Sequence, residues 1–165
     1  MKRILTILIL AAILFLSACG STGDEQGHEE AGTGVEAHDY WARAALKDGN
    51  GAAYMLFHNY TETDDELVGV SSDVATVAEM HLSQLSADGV MQMIPQESIA
   101  LPVDVDVELK PGSYHIMLIG LKQDLKVGDE ITLILHFKNY EDITLTVPVK
   151  DSADMGGSGM DGHMP

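Results

Sequence analysis

The sequence predicts an all-β domain in which short strands form a sandwich of two packed layers. Apolar and polar residues alternate over short segments, as in residues 103–109 (VDVDVEL) and 143–147 (ITLTV). Turn-forming pairs such as Asp88-Gly89 and Pro111-Gly112 separate these segments. No segment has the pattern of a long amphipathic helix, which disfavours an enzyme fold of alternating strands and helices.

Residues 1–18 have the pattern of an export signal. Lys2 and Arg3 form a short basic start, and residues 4–16 are an apolar run that is too short for a comfortable membrane span. The run ends in LSACG, which resembles a bacterial lipobox, where cleavage leaves an N-terminal cysteine that carries lipid. We therefore expect Cys19 to be lipidated and the protein to be anchored on the extracytoplasmic face of a bacterial membrane. The alternative is an ordinary signal peptide or an N-terminal anchor helix.

The balance of charge excludes some classes of partner. The chain has a formal net charge of −17, and loss of Lys2 and Arg3 with the leader would change it to −19 (−17 − 2). So acidic a domain is not expected to bind nucleic acid through phosphate contacts, nor to adhere to an anionic membrane by charge. Cys19 is the only cysteine, so no disulfide is expected within the mature chain and its core must be stable by packing alone.

The chain divides by composition into a leader, a tether, one domain and a tail. Residues 19–34 are rich in Gly, Glu and Ser and are expected to form a flexible tether. Residues 35–150 have the length and apolar content of one small domain. Its predicted strands, rich in Val, Ile, Leu, Thr and Tyr, are residues 36–43, 53–59, 66–72, 75–82, 90–94, 105–109, 114–119, 130–137 and 143–149.

Residues 151–165 form a tail rich in Gly and Asp that is again predicted to be flexible. It contains Met155, Met160, His163 and Met164. Thioethers suit Cu(I), and an imidazole also suits Cu(II), so the tail is a candidate second copper site. A solvated tail without a metal is an equally good interpretation of the sequence.

Within the domain, His81, Met93, His115 and Met117 are candidate ligands of one metal ion. Neutral, polarizable thioethers bind Cu(I) well and hard cations such as Mg²⁺ poorly. Met91 and Met93 are two residues apart, as are His115 and Met117, and residues two apart on a strand share a face. With Cys19 reserved for lipid, a blue-copper electron-transfer centre is disfavoured, because it needs a cysteine thiolate.

At this point the domain resembles the PCu(A)C family of periplasmic copper chaperones. The segments that carry the resemblance are VEAHDYWAR (35–43), AAYMLFHN (52–59), ELVGVSS (66–72), GVMQM (89–93) and LKPGSYHIML (109–118). The family's ligand pattern is a His, ten residues, a Met, twenty-one residues and then His-X-Met. Twenty-one residues separate Met93 from His115, and His115-Ile116-Met117 fits the last part. Eleven residues instead of ten separate His81 from Met93, and the extra residue is expected in the turn at 83–88.

The resemblance implies a cupredoxin-like Greek-key β-sandwich that binds Cu(I) at His81, Met93, His115 and Met117. Met91 shares a face with Met93, so it is a candidate spare ligand or a shield over the metal. The resemblance also implies delivery of copper to the copper A centre of a respiratory oxidase, so the expected partners are a copper-accepting oxidase subunit or another copper chaperone. We expect a monomer. Two alternatives stay open, a copper-sequestering lipoprotein that does not deliver its metal and a structural β-sandwich without a metal.

Other residues of similar chemistry receive ordinary interpretations. His38, His58 and His136 match no ligand position and are predicted to be unexceptional strand histidines. Met80 would point to the face opposite His81 and is predicted to be in the core. Trp41 is predicted to be a core or rim aromatic. The sequence has no nucleophile and base at a recognisable spacing and no phosphate-binding glycine loop, so we do not expect an enzyme.

Overall fold

The computed structural model describes residues 32–151, and in this range it has ten β-strands and no helix. The predicted leader, residues 19–31 of the tether and residues 152–165 of the tail lie outside the described residues. Within the described range, the structure offers no helix with the length and apolar character needed to cross a membrane. The strands are β1 Val35–Arg43, β2 Asn50–Asn59, β3 Asp65–Ser72, β4 Ala75–Leu85, β5 Met91–Gln96, β6 Ile99–Leu101, β7 Val107–Leu109, β8 Tyr114–Leu121, β9 Glu130–Phe137 and β10 Ile143–Lys150.

All ten strands belong to one hydrogen-bonded sheet that folds over on itself. The strand order is β5-β4-β8-β2-β1-β10-β9-β3-β6, and β7 pairs with β2. The two halves join where the end of β1 runs parallel to the end of β10, with Arg43 opposite Lys150. Phe57 of β2 and Phe137 of β9 then meet edge to face, with ring centroids 6.1 Å apart, although their strands are not neighbours in the sheet. The predicted all-β sandwich class is confirmed.

The core lies between the two halves and consists almost entirely of aliphatic and aromatic side chains. Trp41 is 5% exposed and Met80 is 4% exposed, so both are in the interior as predicted. Burial of such side chains stabilises a fold by about 1.5 to 3 kcal/mol each. The largest fully buried side chains are Phe57, Met55, Leu67, Leu101, Leu109, Ile116, Leu118, Leu121, Leu125, Leu133, Leu135 and Val147.

The buried carboxylate of Asp65 ties the turn between β9 and β10 to the start of β3. Its oxygens accept hydrogen bonds from the backbone N–H groups of Glu66 at 2.7 Å, Asn139 at 3.0 Å and Tyr140 at 2.8 Å. Hydrogen bonds to an ionised acceptor are the strong ones, and they compensate the cost of burying this group. The turn at residues 138–142 is thereby held against the start of β3, although the two are far apart in the sequence.

The strand predicted from residue 105 begins later in the structure, and one short strand was not predicted. The alternating segment 103–109 predicted a strand from residue 105, but only Val107–Leu109 pairs. Asp104 has a left-handed backbone with φ of 55°, and its N–H donates to the carbonyl of Asn59, so the chain turns before the strand begins. The sequence analysis missed β6, whose three residues are too few to show a period. It exists because Ile99 pairs with Leu67 of β3.

The hairpin between β4 and β5 forms one edge of the sheet. Its turn lies at residues 86–90, later than the predicted 83–88, because β4 continues to Leu85. Ser86 N–H donates to the carbonyl of Val90, and Gly89 N–H donates to that of Ser86, both at 2.9 Å. Gly89 has φ of 76°, so the loop has the arrangement of a type I turn followed by a left-handed residue.

The register of this hairpin determines which backbone groups face the solvent. Ser83 N–H donates to the carbonyl of Ser113 beside β8, so the N–H groups of alternate β4 residues point away from β5. Met93 pairs with Ser83, and Pro95 pairs with His81. The hydrogen-bonding backbone groups of Met93 and Pro95 therefore point to the open edge of the sheet. Proline has no N–H to present there.

Candidate metal centre

Three neighbouring strands bring the four predicted ligands to one face of the sheet. His81 of β4 lies directly opposite His115 of β8, and Met117 follows two residues later on β8. On the other side of β4, Met93 of β5 lies opposite Ser83. Directly opposed residues, and residues two apart on a strand, share a face. The four side chains therefore belong to one surface although 36 positions (117 − 81) separate the first from the last.

Three of the four, with Met91, line a common cavity of about 360 Å³. The thioethers of Met91 and Met93 are at its open side, where these residues are 54% and 55% exposed. His115 is only 4% exposed, and Met117 is half-buried. The soft, mobile sulfur ligands thus face the solvent while the imidazole is held within the fold.

His81 does not line this cavity, but its ring lies beside it. The ring centroids of His81 and His115 are 5.9 Å apart. Two imidazoles bound to one ion through metal–nitrogen bonds of about 2 Å have ring centroids roughly 5 to 6.5 Å apart. The separation of the two rings therefore fits a shared ion.

Hydrogen bonds fix which nitrogen of each ring is free. His81 Nε2 is 2.8 Å from a carboxylate oxygen of Glu79, and because an ionised carboxylate only accepts, this nitrogen carries the proton. His115 Nδ1 donates to the carbonyl of Ser113 at 3.1 Å for the same reason. Nδ1 of His81 and Nε2 of His115 are left with the lone pairs. Metal-bound histidines are commonly held in this way, with the second nitrogen donating to a protein oxygen.

Nδ1 of His81 is buried and has no hydrogen-bond partner among the described residues. A buried polar atom left without a partner costs about 1 to 3 kcal/mol. A bound metal ion would give this lone pair a partner.

An aromatic wall borders the cavity. Tyr54 lies between Trp41, with ring centroids 4.6 Å apart, and His115, at 6.4 Å. Burial raises the pKa of the Tyr54 phenol, and the positive charge of Arg43 partly offsets this rise. Arg43 also lines the cavity, so one fixed positive charge borders the site.

The other histidines within residues 32–151 have carboxylate partners and lie away from the cavity. His38 pairs with Glu36 at 3.2 Å, and His58 pairs with Asp106 at 2.6 Å. Within residues 32–151, no three His, Cys, Asp or Glu side chains are arranged to hold a metal ion.

His136 lies in a hydrogen-bonded row, 2.9 Å from the Ser71 hydroxyl and 2.8 Å from the Asp142 carboxylate. The row has the order of a hydrolase triad. Its imidazole and carboxylate side chains are 37% and 56% exposed on the outside of the sheet. In such solvated surroundings we interpret the row as cross-strand stabilisation.

The sequence analysis missed Glu79, Tyr54 and Arg43 as neighbours of the site. A signal existed for Glu79, which precedes His81 by two residues and so shares its strand face. Arg43 and Tyr54 lie far from the ligands in the sequence and come near only through the pairing of β1 with β2 and of β2 with β8. Cys19 and the tail residues lie outside the described residues.

Comparison with known proteins gives the family. Residues 35–149 match the family described as "Putative lipoprotein LpqE-like". The protein "Putative lipoprotein Lxx21020" of Leifsonia xyli subsp. xyli (strain CTCB07) is 29% identical over 152 residues, which cover 90% of this chain and 91% of that protein.

Solved structures share the fold. The copper-bound PCuAC domain from PmoF2 is 24% identical with a TM-score of 0.61, covering 71% of this chain and 92% of that one. The solution structure of CuI-DR1885 from Deinococcus radiodurans is 24% identical with a TM-score of 0.53, covering 78% and 86%. The chain therefore belongs to the LpqE-like lipoprotein family and has the fold of the PCuAC domains.

Proposed function

We propose that this protein binds one Cu(I) ion through His81, Met93, His115 and Met117 and carries it outside the cytoplasm. One observation carries the proposal: two imidazoles 5.9 Å apart each have one nitrogen held by a protein oxygen and the other free. Met93 and Met117 lie on the same face of the sheet. Two imidazoles and two thioethers suit Cu(I) better than the harder cations.

Similar proteins support copper as the cargo. The names of two structures with this fold describe a copper-bound PCuAC domain and a Cu(I) form of DR1885. Met91 lines the same cavity as Met93, so we propose it as an additional ligand or as a shield over the metal.

The exposure of the sulfur ligands supports a carrier role over a sequestering one. A metal ion can be handed over only if an incoming ligand can reach it, and Met93 is 55% exposed at the open side of the cavity. A site built to sequester copper would enclose the ion instead. We propose the copper A centre of a respiratory oxidase, or another copper chaperone, as the acceptor.

We further propose the cellular setting. The match to a lipoprotein family supports a chain that is exported and anchored through lipid on Cys19. In this proposal residues 1–18 are removed, 19–34 form the tether, and 35–150 hold copper as a monomeric domain on the extracytoplasmic face.

The tail is a candidate second copper site through Met155, Met160, His163 and Met164. The last residue of β10, Lys150, lies opposite Arg43, and Arg43 lines the cavity of the main site. The chain therefore leaves the sheet beside a residue that lines the cavity.

A competition titration against a Cu(I) chelator tests the main site. Combining Met93→Leu with His115→Ala should lower the Cu(I) affinity by more than about a hundredfold, because changes to outer-shell residues alone cost roughly ten- to a hundredfold. The matched control combines Met80→Leu with His58→Ala, which alters a core thioether and a distant imidazole. An unchanged affinity in the first variant, or an equal loss in the control, would contradict the proposed ligand set.

Transfer distinguishes a carrier from a sequestering protein. The loaded protein is mixed with an apo copper A fragment of an oxidase, and the copper content of each is measured after separation. Net movement of copper to the fragment is expected. If all the copper stays on the chain, the sequestering alternative is favoured.

A further inference from the structure

We propose that Glu79 is the positioning residue of the copper site, which holds His81 in its ligating orientation and supplies the negative charge that the ligands lack. This inference rests on the proposed function. Nothing in the family resemblance or in the ligand spacing assigns a role to Glu79.

Glu79 is adjacent in the sheet to two of the proposed ligands. It precedes His81 by two residues on β4, so the two side chains share a face, and it lies directly opposite Met117 of β8. Glu79 is thus next to one proposed ligand along its strand and to another across the sheet. The side chain that Glu79 contacts is that of His81, so its effect on the site is exerted through this ring.

A hydrogen bond from His81 to Glu79 sets the tautomer of the imidazole. The His81 Nε2–H donates to a carboxylate oxygen of Glu79 at 2.8 Å, which keeps the proton on that nitrogen. The lone pair is then on Nδ1, which is buried and otherwise without a partner. Without the carboxylate, the proton can occupy either nitrogen and the ring can rotate. The ligating lone pair is then present in only part of the molecules.

Glu79 also brings a negative charge to the site. Two neutral imidazoles and two thioethers leave the charge of a bound Cu⁺ uncompensated, and Arg43 adds a positive charge at the cavity. The Glu79 side chain is 42% exposed, and its carboxylate lies one imidazole ring away from the proposed ion. A nearby negative charge stabilises Cu²⁺ more than Cu⁺ because the interaction scales with the charge on the ion. Glu79 therefore lowers the potential of the Cu(II)/Cu(I) couple.

Two variants separate positioning from charge, with one control. Glu79→Gln keeps an oxygen that can accept from His81 but removes the charge, and Glu79→Val removes both. Glu130→Gln makes the same charge change at an exposed strand position on β9, far from the ligands in the sheet order. For each full-length variant we would measure Cu(I) affinity by competition, the Cu(II)/Cu(I) potential, and the His81 tautomer by nitrogen-15 NMR of the apoprotein.

The expected pattern differs for each variant. Glu79→Gln should raise the potential and keep the Nε2–H tautomer of His81. Glu79→Val should also lose the single tautomer and weaken Cu(I) binding by roughly ten- to a hundredfold. Glu130→Gln should match the wild type in all three measurements.

Two outcomes would overturn the inference. One is an affinity and potential in both Glu79 variants equal to those of Glu130→Gln. The other is an unaltered His81 tautomer in Glu79→Val. The tautomer is measured without copper, so it tests the positioning role even if the wild type binds no Cu(I), a result that would instead refute the proposed function.

Discussion

Individual side chains around the cavity have roles that depend on neighbours from other strands. Tyr54 packs between Trp41 and His115, and burial outweighs the charge of Arg43 in raising the pKa of its phenol above 10.0. The ligand types and their spacing could be predicted from the sequence because His and Met have specific metal chemistry. The tautomer of His81 could not, because it depends on a contact that exists only when β4 is extended.

Tyr54 should make the stability of the domain depend on pH in the alkaline range. Its folded-state pKa is raised above its unfolded value near 10, so its contribution is fully present below about pH 10 and is lost as pH rises through the folded pKa. Urea unfolding of Tyr54→Phe should therefore show a smaller loss of stability between about pH 8 and about pH 11 than the wild type. Tyr60→Phe, at a 40% exposed tyrosine, should keep the wild-type loss, and a smaller loss in that control would contradict the assignment.

At the scale of elements, the existence and length of some strands depend on pairing, which the periodicity of the sequence does not reveal. The segments that became β4, β5 and β8 have enough residues to show their pattern, and all three were predicted. β6 has three residues and depends on its pairing with β3, so no local signal marks it. The same limit explains the longer β4, whose last residues are strand only because residues 91–93 return alongside them.

The left-handed residue of the β4–β5 loop should be sensitive to substitution. Gly89 has φ of 76°, and an added Cβ would meet nothing within 4 Å, so only the backbone conformation is strained. Gly89→Ala should lower the free energy of unfolding by about 1 to 2 kcal/mol in urea denaturation. Gly89→Asn should lower it less, because Asn tolerates this region better. Equal losses for Ala and Asn would mean that another feature of the loop is limiting.

For the whole molecule, the all-β class could be predicted because alternation and turns recur along the entire domain. The parallel contact of β1 with β10, which joins the two halves of the sheet, could not be predicted. It links the first and last strands and involves only Ala42 with Val149 and Arg43 with Lys150. The division into leader, tether, domain and tail stays a prediction from composition.

Removal of the tail tests how far copper binding extends beyond the sandwich. Deletion of residues 152–165 should leave the unfolding midpoint unchanged, because β10 ends at Lys150. It should reduce the number of copper ions bound per chain, measured by equilibrium dialysis, because four candidate ligands are lost. An unchanged copper number would show that the tail has no part in metal binding. A matched variant that keeps the tail's length but replaces Met155, Met160, His163 and Met164 with Ser separates ligand loss from shortening.

The place of Pro95 on the outer strand has a further consequence. Five exposed apolar side chains are concentrated on this hairpin: Leu85, Val90, Met91, Met93 and Ile94. A sheet border of that character invites other chains to add to it and so to polymerise. At the position opposite His81, Pro95 offers no amide to an arriving strand. The protein can thus display soft sulfur ligands on an open border while interrupting the backbone ladder along which fibrils would grow.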